Sequence, residues 1–297
     1  MQRTLLISLL AAVVGGAGAA DRILIFTKTA AYREDNIAPT RLALKNFYAG
    51  KGLTVDTSEN ASLFTDTALV KYKAIVFLKT SGDALDTAQQ SAFEKWFLAG
   101  GGFQGIHSAL DTEYDWPFYG KLIAGAWYES LPGKANAKQT EVVEDTLDIS
   151  TLGLPRRWNR TDEIYAFKAN PRAAKDPAAH ILVTVDEATF TKGVPGTDHP
   201  MSWYVSYQGG RAWTTAMGHV TAAYSDPLFL GHLWGGMQYI LKRPTPTKVA
   251  FPNGAQAVHK SGTKRAWTGN GVLFGRAHTG DEPDQDVKGR TAPSPVP

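Results

Sequence analysis

The stretch GGGFQGIHSALDTEYDW, Gly100–Trp116, contains the strand that decides the fold. Three glycines lead from the end of a predicted helix into a short apolar run that ends at His107. Glycines that cradle a phosphate lie at the opposite junction, after a strand and before a helix. We therefore interpret Gly100 to Gly102 as a helix end and a tight turn. His107 then lies at the carboxyl end of a strand, where open α/β sheets bind their ligands.

Alternating strand and helix patterns before this stretch predict a parallel sheet. Apolar runs at 22–27, 53–58 and 72–80 have the length of strands, and residues 36–52 have the pattern of a helix. The helix before the glycines is predicted to begin after Asp86 as N-cap, with Gln89 completing a capping box. Its apolar face consists of Ala88, Ala92, Phe93, Trp96 and Phe97.

After Gly125 the pattern changes to alternating, polar-rich strands, at 138–145, at 180–190 and in a hairpin over 199–219. We expect Gly209-Gly210 to form the hairpin turn. A helix that begins with Asp226-Pro227 is predicted to close the core. The predicted fold class is therefore α/β, a parallel sheet flanked by helices with an added antiparallel, β-rich portion.

The chain divides into three predicted segments. Residues 1–20 have a basic residue, an apolar run and small residues before Asp21, which is typical of a secretory signal peptide, so we expect an exported protein. Residues 21–242 form the main domain. Residues 243–297 are rich in Pro, Gly, Thr and Lys, and we expect a poorly ordered tail with a short strand in GVLFG at 271–275. No apolar run reaches the ~20 residues of a membrane span.

Composition excludes two classes of function. The sequence contains no cysteine, so a thiol nucleophile and disulfides are impossible. Its 31 basic and 28 acidic residues give a net charge of +3, and the basic residues are scattered instead of clustered. A nucleic-acid-binding surface would need a basic patch or stripe. We therefore expect no nucleic-acid partner.

Five separated motifs, in order along the chain, resemble those of the ThuA-like (trehalose utilisation) family. They are ILIFTKTAAYRED, VFLKTSGDALDTAQQSAFEKWFLAGGGFQGIHSALDTEYDWPFYGKLIAGAWYE, DEIYAF, DHPMSWY and GGRAWTTAMGH. The resemblance implies a flavodoxin-like sheet similar to that of class I glutamine amidotransferases, and a saccharide or sugar-derived substrate. His107 stands where the amidotransferase elbow has its cysteine, so amidotransfer is excluded. Two positions depart from the family pattern, because Glu34 and Leu131 replace residues that are usually histidines.

His107 and Glu163 are the first candidate catalytic residues. The alternative for His107 is a buried histidine that bonds to a neighbouring strand. Asp162 and Glu163 point to opposite faces if their segment is extended, so at most one of them faces a cleft. We favour Glu163, because Tyr165 on the same face also has a polar tip, although a solvated acidic pair is also consistent with the pattern.

His199 and His219 are the other catalytic candidates, and the hairpin register decides whether they meet. A three-residue loop, Gln208–Gly210, would place them opposite each other with Trp203 and Trp213 on the same face. A two-residue loop, Gly209-Gly210, would instead oppose Pro200 to His219. His232, inside an apolar helix, is expected in the core.

Candidate substrate-binding residues are Asp111, Trp116, Trp203 and Trp213. Asp111 either orients a histidine or binds a sugar hydroxyl, or it caps the segment that follows.

Three hypotheses of function follow. The first is a carbohydrate-active enzyme in which histidine and carboxylate groups exchange protons with a saccharide or keto-sugar. The second is a metal-dependent hydrolase or lyase, with His107, His199 and His219 as candidate ligands of zinc or a similar divalent ion. The third is a binding module that recognises sugars but has lost catalysis.

Overall fold

The computed structural model describes residues 20–132, 136–190 and 192–242, together with the backbone of four short strands farther along the chain. Nearly all of the predicted signal peptide (1–19) lies outside the described residues. The helices are α1 (Ile37–Gly50), α2 (Asp66–Leu69), α3 (Thr87–Leu98), α4 (Pro117–Leu122) and α5 (Pro227–Ile240). The strands are β1 (Arg22–Phe26), β2 (Thr54–Ser58), β3 (Ala74–Leu78), β4 (Gly102–Ile106), β5 (Tyr128–Ser130), β6 (Ala137–Val143), β7 (Arg157–Asp162), β8 (Ala166–Phe167), β9 (His180–Val185), β10 (Pro200–Tyr207), β11 (Gly210–Thr215), β12 (Lys248–Ala250), β13 (Gln256–Val258), β14 (Arg265–Thr268) and β15 (Val272–Gly275).

Nine of the described strands form one sheet in the order β2-β1-β3-β4-β11-β10-β9-β6-β7. Its first five strands are parallel and follow the order 2-1-3-4-5 of flavodoxin-like folds. The remaining pairings, from β11 to β7, are antiparallel. The predicted α/β class is therefore confirmed, and the antiparallel portion extends the same sheet.

The parallel half of the sheet is buried because its strands are continuous apolar runs. β3 is buried at every position, and the Phe77 ring packs against Phe26 and Phe103 on the neighbouring strands β1 and β4. Burying a side chain of this size stabilises the fold by roughly 1.5–3 kcal/mol. The core thus forms on the strands whose ends carry the functional side chains described below.

The predicted capping box of α3 is confirmed. Asp86 accepts a hydrogen bond from the Gln89 backbone at 2.9 Å, and the Gln89 side chain accepts one from the Asp86 backbone at 3.0 Å. Of the predicted apolar face, Ala88, in the first turn, is exposed. Gly100 follows the helix with φ 105°, so the interpretation of the glycines as a helix end and turn is also confirmed.

The hairpin turn lies one residue earlier than predicted. Tyr207 pairs with Gly210, which leaves the two-residue loop Gln208-Gly209. Both loop residues have positive φ, 45° and 103°, as a type I′ turn requires. The observed pairing matches neither register predicted from the sequence, one of which opposes His199 to His219 and the other Pro200 to His219.

Two short antiparallel pairs, β12–β13 and β14–β15, lie in the predicted tail. β15 confirms the strand expected in GVLFG, and the other three were not predicted. The remaining tail positions lie outside the described residues. Within the described part of the chain, no helix is long and apolar enough to cross a membrane.

Candidate functional site

Four neighbouring parallel strands each end in a loop that contributes a side chain to one cluster. These strands are β1, β3, β4 and β11, and the side chains that follow them are Glu34, Lys79, His107 and His219. Glu163 joins them from the loop after β7. We call Glu34, His107, Glu163 and His219 the carboxyl-edge cluster. Its position is the usual ligand-binding edge of an open α/β sheet.

His107 lies at the centre of this cluster. It is fully buried and has φ 57°, a left-handed conformation that costs energy in a residue other than glycine. Its Nδ1 lies 2.9 Å from the Ala216 carbonyl oxygen, which can only accept, so we assign the ring hydrogen to Nδ1. The other nitrogen, Nε2, therefore faces the cluster.

Four polar atoms surround His107 Nε2. They are Tyr165 Oη at 3.1 Å, His219 Nδ1 at 3.2 Å, Glu34 Oε1 at 3.2 Å and Glu163 Oε2 at 3.4 Å. The Tyr165 ring also stacks on His107, with 4.7 Å between the ring centres. Tyr165 thus fixes both the plane and one edge of the imidazole.

Glu34 and Lys79 form a buried ion pair beside His107. Lys79 donates to Glu34 Oε2, to Asn36 Oδ1 at 2.6 Å and to the His219 carbonyl oxygen at 2.6 Å. Glu34 Oε1 also accepts from Ser108 Oγ at 3.2 Å. Burial alone would raise the pKa of Glu34, but His107 and Lys79 outweigh it and lower the pKa to about 2. Glu34 is therefore a carboxylate.

The adjacent residues Asp162 and Glu163 have different contacts, and only Glu163 belongs to the cluster. Asp162 is fully buried, pairs with Arg160, and accepts from the backbone N–H groups of Gly218 (2.9 Å) and His219 (2.8 Å). Glu163 Oε2 lies 3.4 Å from both His107 Nε2 and His219 Nδ1. The structure thus places Glu163 in the cluster, as the sequence favoured, and uses Asp162 to hold the His219 backbone.

The two cluster histidines have pKa values shifted in opposite directions. Burial would lower the pKa of His107, but hydrogen bonds with Glu163 and Glu34 outweigh it and raise the pKa to about 9. Burial, followed by the charge of His107, lowers the pKa of His219. The His219 side chain is 22% exposed, against at most 9% for the other members, so His219 is the member most accessible to solvent.

The predicted meeting of His199 and His219 is wrong. His199 is buried, and its two ring nitrogens contact Glu187 Oε1 at 2.6 Å and the Tyr165 carbonyl oxygen at 2.8 Å. The observed hairpin register does not oppose the two histidines. His199 therefore lies behind Tyr165, outside the cluster, and its ring is not a candidate metal ligand.

The three tryptophans proposed to bind sugar belong to the core. Trp203 and Trp213 are fully buried, and Trp116 is 5% exposed and donates to Glu94 at 2.7 Å. A sugar needs an exposed indole face for stacking, so these predictions are wrong.

Asp111 and His232 have local partners. Asp111 is half-buried and accepts from Tyr114 Oη at 2.6 Å. The next α-helix begins at Pro117 with Trp116 as N-cap, so the capping interpretation of Asp111 is wrong. His232 is buried and bonds to Ser150 and Ser202, as expected of a core histidine.

Sequence reasoning missed Lys79 and the role of Glu34. The signal for Lys79 was a single basic residue at the end of the apolar run AIVFL. In the sequence Glu34 stands out only as a departure from a family pattern, yet it lies inside the cluster. Leu131, the other departure, follows β5 and is 41% exposed.

Comparisons with known proteins identify related sequences and folds. A sequence model of the ThuA family, described as trehalose utilisation, matches residues 22–240. A ThuA-like protein from Bacteroides uniformis is 20% identical with a TM-score of 0.64, over 75% of this chain and 93% of that one. A ThuA-like protein from Parabacteroides merdae is 19% identical with a TM-score of 0.62, over 78% and 95%.

A more distant fold similarity is to the carbohydrate deacetylase Agd3, which is 16% identical with a TM-score of 0.51, over 78% of this chain and 33% of that one. At these identities the structural similarities show the fold alone. No match was found among curated proteins.

Proposed function

The chain belongs to the ThuA family, and from this premise we propose that it transforms a saccharide or an oxidised sugar at the carboxyl-edge cluster. The observation that carries the proposal is the convergence of two imidazoles and two carboxylates from loops distant in sequence, with nitrogen–oxygen distances of 3.2–3.5 Å. The family description, trehalose utilisation, supports the substrate class.

The chemistry that this arrangement supports is proton transfer at a sugar hydroxyl or at a carbon beside a keto group. Positioned carboxylate and imidazole groups typically accelerate such steps by about 10²–10⁴-fold. His219 is the member nearest to solvent, and Glu163 contacts both imidazoles. Both are therefore placed to meet a substrate that enters past His219.

The test is a substrate screen with purified protein. Di- and oligosaccharides and their 3-keto forms are incubated with the wild type, and products are followed by chromatography. Turnover of at least one of them supports the proposal. Saturable binding without turnover would instead support the binding module, and the absence of both would contradict a carbohydrate role.

Export of the protein, expected from residues 1–20, is a second proposal. It is supported by the sequence pattern alone. Expression of the full chain in a bacterial host and amino-terminal sequencing of the secreted product tests it, and we expect a start at or near Asp21. Retention of Met1 in the product would contradict it.

A further inference from the structure

We propose that His107 Nε2, His219 Nδ1 and Glu163 Oε2 bind one divalent transition-metal ion of the zinc type. These atoms form a triangle with sides of 3.2, 3.4 and 3.4 Å. Ligands at about 2.0–2.1 Å on the corners of a tetrahedron around zinc lie about 3.3–3.4 Å apart. The triangle therefore has the dimensions of one face of such a tetrahedron.

A single ring hydrogen cannot satisfy every polar atom around His107 Nε2. An N–H···O bond has its most common length at about 2.9–3.0 Å, and one ring hydrogen has one preferred direction. His107 Nε2 instead has four polar neighbours at 3.1–3.4 Å. A hydrogen on Nε2 serves only one or two of these atoms, whereas a cation placed among them contacts several at once.

The orientation of His107 fits a metal ligand. Its Nδ1 hydrogen points to the Ala216 carbonyl oxygen at 2.9 Å, which fixes the ring with Nε2 facing the cluster, and the ion would displace the proton from Nε2. Histidines that bind metals usually donate their other N–H to a carbonyl or carboxylate in this way. A ligand nitrogen that is already oriented needs no rearrangement to bind an ion.

The charge balance selects Glu163 as the carboxylate ligand. Lys79 pairs with Glu34, and Arg160 pairs with Asp162. Among the described residues, Glu163 has no lysine or arginine within ion-pair distance. Two imidazoles and one carboxylate with a further position left open are typical of catalytic zinc and non-haem iron sites.

Glu34 completes the surroundings of the ion. One of its oxygens and one nitrogen of each histidine all lie within 4.8 Å of one another. Because Lys79 already pairs with Glu34, that carboxylate lies beside the ion without being assigned as one of its ligands.

The experiment measures metal binding without a saccharide, so its result is separate from the substrate screen. Tag-free protein is freed of metal with a chelator, and Zn²⁺ is titrated by calorimetry. Co²⁺ serves as a spectroscopic probe, because tetrahedral Co²⁺ has intense visible absorption bands. We expect one equivalent of either ion to bind to the wild type.

Matched variants identify the ligands. His219→Ala and the isosteric Glu163→Gln should each weaken binding by at least about 100-fold, since even changes outside the ligand shell cost 10–100-fold. The controls are His180→Ala, an exposed histidine elsewhere, and Glu141→Gln, a buried glutamate elsewhere. Circular dichroism verifies the fold of each. Absence of stoichiometric binding to the wild type, or wild-type affinity in folded Glu163→Gln, would overturn the proposal.

Discussion

At the scale of single residues, Lys79 is the side chain that connects two loops of the site through hydrogen bonds. It is fully buried and contacts Glu34 and Asn36 from the loop after β1 and His219 from the loop after β11. The sequence could have flagged a lysine at the end of an apolar strand. Its partner could not have been found, because Glu34 lies 45 positions away and only the sheet order brings the two together.

Replacing Lys79 by methionine should destabilise the protein by about 3–5 kcal/mol, because the buried carboxylate of Glu34 loses its lysine partner. The double variant Lys79→Met/Glu34→Gln should recover part of this loss, since neither partner is then charged. Urea unfolding of both variants and of Glu34→Gln measures the free energies. Equal destabilisation in the single Lys79→Met variant and the double variant would contradict a buried ion pair.

His107→Ala distinguishes a functional from a structural histidine. We expect a loss of stability of no more than about 1–3 kcal/mol and a fall in turnover by about 10²–10⁴-fold. The reason is that the ring both fills a buried space and presents Nε2 to the cluster. Melting curves are recorded beside activity. A destabilised variant with wild-type activity per folded molecule would return His107 to a purely structural role.

At the scale of elements, local sequence signals were reliable where the deciding contacts are local. The capping box of α3 depends on residues three apart, and both of its hydrogen bonds are present. The hairpin between β10 and β11 shows the limit. Gly210 was a natural turn residue by composition, yet packing of Phe97 against Gly210 places it in the strand, where a Cβ would lie 2.4 Å from the ring. A one-residue shift was enough to misplace His199.

The type I′ turn makes two opposite predictions for neighbouring positions. Gln208→Asn should stabilise the protein by a few tenths to about 1 kcal/mol, because asparagine tolerates the left-handed conformation better. Gly209→Ala should destabilise it by at least about 1 kcal/mol, since a side chain at φ 103° is strained. Thermal unfolding of both variants is the measurement. A stabilising Gly209→Ala would contradict the observed register.

At the scale of the whole molecule, the extended sheet brings a second group of buried charges behind the site. Glu141 on β6 is fully buried, and it faces Gln139 on its own strand and Arg160 and Asp162 on β7. Burial raises its pKa from 4.5 to about 7, against the opposing effects of Arg160 and Gln139. No composition or spacing rule could have placed this glutamate inside, because its burial follows from the antiparallel extension of the sheet.

Glu141 predicts a pH dependence of stability. Between pH 4.5 and about 7 the folded state keeps a proton that the unfolded state has lost, so stability falls as the pH rises through this range. Two and a half pKa units correspond to about 3 kcal/mol. Unfolding free energies of the wild type and Glu141→Gln are compared from pH 4 to pH 8. If the difference between them does not change with pH, the pKa of Glu141 is not raised.

The parallel order of the sheet is what gathers the four loops at one edge, and the central claim is that their meeting point is the reaction centre. The most direct test compares kcat/KM, per folded molecule, for Glu163→Gln and Glu141→Gln on the saccharide that the wild type converts. Both changes replace a buried glutamate by an amide of the same shape, but only Glu163 contacts the two histidines. We predict a loss of at least about 100-fold for Glu163→Gln and wild-type kcat/KM for Glu141→Gln. Wild-type kcat/KM in folded Glu163→Gln would contradict the claim.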